Sequence, residues 1–598
     1  MAKTIPQLTD ATTVNAADEL IIQQGGITKR ATAAELMNGA PVTAISTTTG
    51  RSLALRFSDI VNVKDFGATG NGTTDDTAAI QAAIDSLVLG GCVYVPKGNY
   101  LHAGLKIDGS SGGISNITLC GDGAASRLLL TDSSTSNSIQ ATSGQGFSIE
   151  RLKIEGNLSR GGAGVAAPSQ GFWLAARAYN LNDTVEVSVS DTATTTVGAT
   201  NLVYRCVSSH TSASMFLADK ATRWTLVVDA NFNTADISYA TRNGVYLDGV
   251  AGASVSDCWI LDHIYAGINI GTGPVQAGNA GPGADFICIQ RNNIYSNGNG
   301  IAGGKQRYAN IDGNIIRDNS VYQVVVDKSS ASVTISNNQI KSGSSHGIYI
   351  YNSTVSSVAG NTVAGCGGVG ILFDNATAVS SVTSNSVTGC LQGIRAFNSS
   401  INLITANACT TCTQHGIAID TASQFSVVSN VCNANGFDGI RLTACSAFTV
   451  AGNTLTHNVG AGGVLITNCS LGTVTGNIAL NNNNTGSDAD SAGIRLVDSA
   501  TITITANECY DTRSGASKSQ KYGVRSTGTS DALTLSSNIL TQNGTGTFLL
   551  AGANNRIAPD VANVISSSVA ANFTATHYVT FVQSDGTLVY VPARLGAW

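Results

Sequence analysis

Two aspartates, Asp374 and Asp420, hold the same place in a repeating pattern, two periods apart. A pair of carboxyl groups can cleave a glycosidic bond, one as acid and one as base. The inverting form of that chemistry wants them roughly 6.5–9.5 Å apart, with room for a water. Tyr349, Tyr351, Arg395, Phe397 and Arg441 fall in the same columns of the repeat. Aromatic rings offer an apolar face to a sugar, and guanidinium groups bind carboxylate oxygens. Asp327 precedes Tyr351 in the aspartate column; His346, His415 and Asp438 stand one residue before the glycine that opens each period. Glu508 is the only glutamate after Glu186, so a carboxylate pair here is Asp–Asp. The expectation is catalysis by Asp374 and Asp420, with substrate contacts from Asp327, Tyr349, Tyr351, Arg395, Phe397, His415, Asp438 and Arg441. The bland reading of Asp374, Arg395 and Asp420 is a solvated charge ladder that pairs across coils and keeps a sheet soluble.

A second cluster comprises Lys305, Arg307, Tyr308, Asp312 and Arg317. A cation that neutralises a uronate carboxylate, beside a base that removes the neighbouring proton, suits β-elimination. The plain alternative is a charged loop.

The elements that must position these residues follow from glycine and asparagine. Gly347, Gly370, Gly393, Gly416 and Gly439 are spaced 23 residues apart; Gly463 follows after 24, then Gly493 and Gly523 after 30 each. Between them Asn338, Asn361, Asn385, Asn407, Asn430, Asn453, Asn477, Asn507 and Asn538 recur in one local pattern. Self-similarity at this period marks a solenoid. In Gly416-Ile-Ala-Ile-Asp420 the first residue after glycine points inward, and the second and fourth point outward. A second strand follows and bends at the Asn, which tolerates left-handed backbone. Its amide can bond the Asn of the next coil, as in stacked Asn ladders. Weaker copies reach back through Asn314, Asn292, Cys258, Gly267 and Gly244, so roughly a dozen coils run from Gly244 to Asn538. The fold class is all-β, a parallel β-helix. With strands about 4.8 Å apart, Asp374 and Asp420 lie about 9.6 Å apart along the stack. A leucine-rich horseshoe lacks its leucine framework here.

Composition agrees. Charged residues make up 12% and glycine 66 of 598 residues, as stacked strands joined by tight turns require. A net charge of −6 without a basic run argues against nucleic acid. Cys409 and Cys432 occupy the slot of Val363, Val387 and Leu455, so they read as small core residues; Cys409-Thr-Thr-Cys412 lacks a second CxxC for metal. No metal and no cofactor is expected. The start, Met-Ala-Lys-Thr-Ile-Pro, has no apolar signal core, and no stretch is long enough to span a membrane, so the chain reads as made in the cytosol.

Residues 1–58 read as an attachment segment, with a hairpin turning at Gly25-Gly26 and a short helix at Ala33–Met37. Residues 59–175 hold a cap and the first coils. Within them Thr74 or Asp75 caps a helix whose apolar face is Ala79, Ile80, Ala83, Ile84 and Leu87, and Gly90-Gly91 stops it. Residues 176–243 break the repeat with short strands and the aromatics Tyr179, Tyr204, Phe216 and Trp224, a weak likeness to small chitin-binding-type modules. Residues 244–550 form the main helix. Its loops Asn481–Asp490 and Tyr510–Lys521 are each about seven residues longer than their equivalents, which suits a groove wall or a subunit contact. Residues 551–598 end in a hairpin suited to a cap or trimer clasp.

The stretch DFGATGNGTTDDTAAIQAAID…GGCVYVPKGNY resembles the N-terminal signature of the pectate-lyase-like superfamily of right-handed β-helices. The opening MAKTIPQLTDATTVNAADELIIQQGGITKR is similar to the virion-anchoring start of bacteriophage tailspikes. The resemblance implies a homotrimer held to the virion tail or baseplate through its N-terminus. Such a protein binds and depolymerises a bacterial surface polysaccharide, capsule or O-antigen, at the cell surface. Hydrolysis is the leading expectation. A lyase, a non-cutting adhesin and a bacterial cell-wall or pectin enzyme are the rivals, because a fold does not fix an activity.

Overall fold

A computed structural model describes residues 60–109, 115–157 (less 133 and 135), 242–271, 283–483 (less 328 and 377), 488–552 and 554–557, with isolated backbone strands elsewhere. Each period is one coil of parallel β-structure. The expected second strand is two strands, so a coil has three: Ile348–Tyr351, Thr354–Ala359 and Thr362–Ala364, repeated as Ile371–Asp374, Ala378–Thr383 and Ser386–Thr388. Stacking them builds three parallel sheets, here called front, second and third. The front sheet carries the strands that follow the periodic glycines.

The bend between second and third strands explains the extra division. The residue in left-handed conformation is the one before each ladder asparagine, not the asparagine itself: Asn337, Ser384, Ala406, Ser429 and Ala506 have φ of 55°, 55°, 55°, 56° and 54°. The asparagines do something else. Asn385 Nδ2 donates to Asn407 Oδ1 at 2.9 Å, and Asn407 Nδ2 to Asn430 Oδ1 at 2.9 Å. The same link joins every successive pair from Asn292 to Asn538. Each acceptor oxygen also receives the backbone N–H of the preceding ladder residue, as from Asn385 at 2.9 Å. Buried amides so satisfied replace the backbone bonds lost at the bend. Cys258 takes the slot as expected, its N–H donating to Asn292 Oδ1 at 3.0 Å.

The interior is filled by one residue per coil at each position. Val387, Cys409, Cys432 and Leu455 are neighbours in register and fully buried. The described cysteines are free thiols, as their packing role requires.

The cap helix, α1, spans Thr77–Asp85 and buries Ile80, Ala83 and Ile84. Its N-cap is Asp76 rather than Thr74 or Asp75, and that carboxylate makes no cap bond. It accepts instead from Thr69 and Gly70 N–H at 2.7 and 3.0 Å, clasping the DFGATG loop. Gly70 is needed there: its φ is +65°, and a Cβ would meet the Tyr100 ring at 2.8 Å.

Three outlying expectations have backbone counterparts. Glu19–Gln24 pairs antiparallel with Ile27–Thr32, and Tyr578–Val582 with Leu588–Pro592. In the 176–243 segment Thr184–Val187, Leu202–Cys206 and Trp224–Leu226 form an antiparallel sheet. The side chains of Tyr179, Tyr204, Phe216 and Trp224, and the helix expected at 33–37, lie outside the described residues.

Candidate functional site on the front sheet

The front strands stack because each begins with glycine. A Cβ on Gly416 would lie 2.7 Å from the carbonyl oxygen of Gly439, so the coils approach too closely there for any side chain. From that anchor the alternation runs as expected. Ile371, Ile394, Ile417 and Ile440 point inward and are fully buried. Tyr349, Leu372, Arg395, Ala418 and Arg441 form one outward column in register. Tyr351, Asp374, Phe397, Asp420 and Thr443 form the other. Asp327 follows Val326, the partner of Ile350, and so precedes Tyr351 in the second column; it is buried.

Asp420 is the centre of an ion network. Arg441 Nη2 donates to its Oδ1 at 3.1 Å, and Arg395 Nη2 lies 3.3 Å from Oδ2. The Arg395 contact is a charge pair without hydrogen-bond alignment, since Oδ2 has no bonded donor. Asp420 is only 7% exposed and is covered by these two arms. Arg441 also reaches Thr443 Oγ1 at 3.0 Å and His415 Nε2 at 3.5 Å. His415 Nδ1 stands 3.3 Å from Asp438 Oδ2, and Asp438 Oδ1 accepts the Gly462 N–H at 2.8 Å. The histidine and aspartate expected at the sheet's edge thus join Asp420 through Arg441. Arg395 and Arg441 pair with Asp420 across coils, as a charge ladder would, while Asp420, His415 and Asp438 are themselves buried.

Asp374 sits in different surroundings. Tyr349 Oη donates to its Oδ2 at 3.3 Å and Asn375 Nδ2 to its Oδ1 at 2.9 Å. Burial pushes its carboxyl above the ordinary value, against the opposing pull of Tyr349 and Arg395. Burial likewise holds the Tyr349 phenol well above its usual range. His346, buried and facing Arg395, is depressed to about 4 and is neutral at pH 7. Its ring stacks on Tyr322 with centroids 5.8 Å apart and tilts against Tyr349 at 5.4 Å. Tyr351 continues the aromatic patch 6.1 Å from Tyr349. Phe397, 43% exposed, lies between the two aspartates under the Arg395 guanidinium, 5.5 Å from its centroid. The face therefore offers a carboxyl biased to hold its proton, an ion-paired carboxylate two strands on, and rings on both sides.

Sequence reasoning missed two parts of this face. Tyr322 belongs to the patch, but its coil has Gln323 in the glycine slot, which hid its equivalence to His346 and His415. Tyr246 and Asp248 occupy the two outward columns four coils earlier than Tyr349 and Tyr351. Their hydroxyl and carboxylate meet at 3.2 Å, and burial raises Asp248. Counting from Gly244 would have found both.

The second cluster is not one site. Arg307 pairs with Asp285 at the end of the front sheet, whereas Asp312 and Arg317 lie on second- and third-sheet strands. Arg317 instead covers the Tyr295 ring at 4.4 Å. The described residues of the two long loops are tied together. Asp488 pairs with front-sheet Arg495 at 2.6 Å and Asp490 with Arg525, while Asn483 donates to Ser519 O at 2.9 Å. Asp511 has no solvent exposure and accepts from Arg513, Ser519 and Gln520, which shapes the second loop. Among the described residues no three His, Cys, Asp or Glu side chains are grouped to hold a metal ion. Nor is any helix there long and apolar enough to cross a membrane.

The stacked coils, inward columns and asparagine ladder define a parallel β-helix. Residues 322–479 match the model of the right handed beta helix region, 60–158 that of rhamnogalacturonase A/epimerase, pectate lyase-like, and 237–387 that of the periplasmic copper-binding protein NosD. Alginate lyase 7 of Azotobacter vinelandii is 35% identical over 137 residues, 21% of this chain and 16% of that protein. Mannuronan C5-epimerase AlgE3 of the same organism is 39% identical over 107 residues, 16% of this chain and 6% of that protein. The chain thus matches less than a fifth of the length of either relative. Bacteriophage tailspikes stand among the similar solved structures. Tailspike protein 3 of bacteriophage CBA120 is 11% identical, with a TM-score of 0.40 over 95% of this chain and 76% of that one.

Proposed function

We propose that this protein binds a bacterial surface polysaccharide, capsule or O-antigen, along the front sheet and hydrolyses it with Asp374 and Asp420. The observation that carries this reading is the contrast between two carboxyl groups in one column. Asp374 is raised by burial and suits the general acid that protonates the leaving oxygen. Asp420 is the base, its Oδ2 freed for a water when Arg395 swings from the carboxylate to substrate. Their strands are about 9.6 Å apart along the stack, next to the inverting range and far from the roughly 5–5.5 Å of retaining pairs, so inversion of the product anomer is expected. Phe397 and the tyrosine patch stack on the flanking sugars. The names of the matched relatives and of the family model over 60–158 support polysaccharide as the substrate class. The test is Asp374→Asn and Asp420→Asn, each assayed for new reducing ends. A loss of about 10²–10⁴-fold with polysaccharide binding retained is expected; unchanged turnover in both variants rules the pair out.

One observation favours a second reading. The identity to an alginate lyase supports β-elimination from a uronate, with Tyr246, Asp248 or Asp374 near the reacting carbon. A rise in ultraviolet absorbance from an unsaturated uronate, alongside new reducing ends, would select it. Binding without either signal would leave an adhesin. The opening segment's likeness to tailspike anchors supports a virion protein attached through residues 1–58 and assembled as a homotrimer. Sedimentation at three times the 61.0 kDa chain mass is the expected result, and a monomer would remove that part of the reading.

A further inference from the structure

Away from the aspartates, two bulky rings stand in solvent where the fold gives them no work. Phe286 and Tyr308 are 61% and 56% exposed. They stack on each other with centroids 4.9 Å apart and planes 9° from parallel. The spacing is that of adjacent coils, so each ring lies flat across the direction of stacking. Both residues adopt φ of 55°, a left-handed conformation uncommon for bulky side chains and held at a local energetic cost.

Their position in the coil is fixed by one row of backbone bonds. Gly146, Gly252, Phe286 and Tyr308 each donate an N–H to the residue before the next member, ending at Ala331 before Ser332. The column therefore reads Gly146, Gly252, Phe286, Tyr308, Ser332. Glycine, the residue this backbone favours, occupies the preceding coils. A Cβ at Gly252 would meet only the Gly146 nitrogen, at 3.8 Å. With glycine on one side and serine on the other, the outer face of each ring has no other ring of the described residues stacked against it. Beside the rings, Arg307 Nε donates to Asp285 Oδ1 at 2.7 Å, an exposed ion pair that brackets the stack with donors and acceptors.

We infer that Phe286 and Tyr308 form an accessory saccharide subsite that stacks pyranose rings of the polysaccharide, with Arg307 and Asp285 bonding the sugar's hydroxyls. The inference rests on the polysaccharide reading of the front sheet. Tyr308 lies three coils, about 14 Å, before the level of Asp374, at the edge where front strands turn into the second sheet. A chain extending from the catalytic aspartates toward the N-terminal coils passes this edge. A second copy of the protein does not fit the patch as well. A stable interface buries about 800 Å² per partner around a charge-depleted core. Here two rings are set between a glycine, a serine and a solvated ion pair.

Replacing both rings by glycine tests the subsite, because glycine removes the rings and relieves the left-handed backbone together. Wild type, Phe286→Gly/Tyr308→Gly and Asp374→Asn are run through native gels containing alginate, polygalacturonate, or purified capsule and O-antigen polysaccharides. At least one of these polymers should retard wild type. The double-glycine variant should lose at least tenfold of that affinity while its thermal midpoint holds or rises and cleavage of short soluble oligosaccharides is unchanged. Asp374→Asn should be retarded like wild type. Equal retardation of wild type and the double variant overturns the subsite, as does retardation of wild type by none of the polymers. A binding loss matched by a lower thermal midpoint also overturns it, since that is the signature of a structural pair. If Asp374→Asn cleaves normally while the double variant loses retardation, the catalytic assignment fails and the subsite stands.

Discussion

A buried imidazole without a charge partner resists protonation, and three described histidines are in that position. Burial depresses His102 to about 3, and His263 and His346 to about 4. Each folded-state value lies below the imidazole's ordinary 6.5, so the unfolded chain takes up protons that the folded one refuses. Stability is fully present above pH 6.5 and is lost as pH falls toward 4. The thermal midpoint should drop between pH 7 and pH 4.5, before ordinary carboxylates titrate heavily; a flat profile contradicts it. Asp374 makes the opposite kind of prediction. Its raised carboxyl stays protonated to higher pH, so cleavage that uses it as an acid declines on the alkaline side of that value. The decline should be absent from the residual activity of Asp374→Asn. At this scale the sequence was a partial guide. Alternation and period put Asp374, Arg395, Asp420 and Arg441 on one face. They said nothing about which arginine takes which oxygen, because that choice belongs to long, rotatable side chains in a shared space.

The element that repays mutation is the asparagine ladder. The Asn407 side chain receives two bonds from Asn385 and gives three, to Val382 O, Thr405 O and Asn430 Oδ1. Asn407→Ala leaves a buried backbone N–H and several amide and carbonyl groups without partners. Each buried orphan is destabilising by about 1–3 kcal/mol. A fall of several degrees in the thermal midpoint is expected, whereas Cys258→Ala, at the ladder's end, should have a much smaller effect. Equal effects at the two sites would remove the ladder's claimed importance. The ladder was legible because one residue type recurs at one offset. A second ladder was not. Asn435, Asn458, Asn482 and Gln520 link in the same manner at the turn before the front strand, but cysteines fill that slot in earlier coils. Thiol and amide fit the same space, so residue type alone conceals the column.

Across the whole molecule, the proposed function is carried by a surface rather than a pocket. Every coil adds two outward positions to the front sheet, so specificity can change one residue at a time without disturbing the inward columns. Toward the C-terminal end of that surface, Asp488 and Asp490 neutralise Arg495 and Arg525. Replacing Asp488 and Asp490 by Asn should free both guanidiniums and strengthen binding of an acidic polysaccharide, more so at low salt. Unchanged binding at every ionic strength would show that these arginines lie outside the substrate's path. The irregular coils, with Gln323 in a glycine slot and Gly271 and Gly304 in the aspartate column, fall where the 23-residue spacing fails, and there the sequence ceases to number the face correctly.

All ten amide links of the asparagine ladder point the same way, from each coil toward the next one C-terminal to it. Aligned hydrogen bonds in a low-dielectric interior polarise one another. The β-helix thus contains a column of co-oriented side-chain dipoles, poled along its axis, which a symmetric stack of strands would lack. Its two ends differ electrically: the donor-directed end faces the last coils and the acceptor end faces the cap helix, which gives an otherwise repetitive rod a sense of direction.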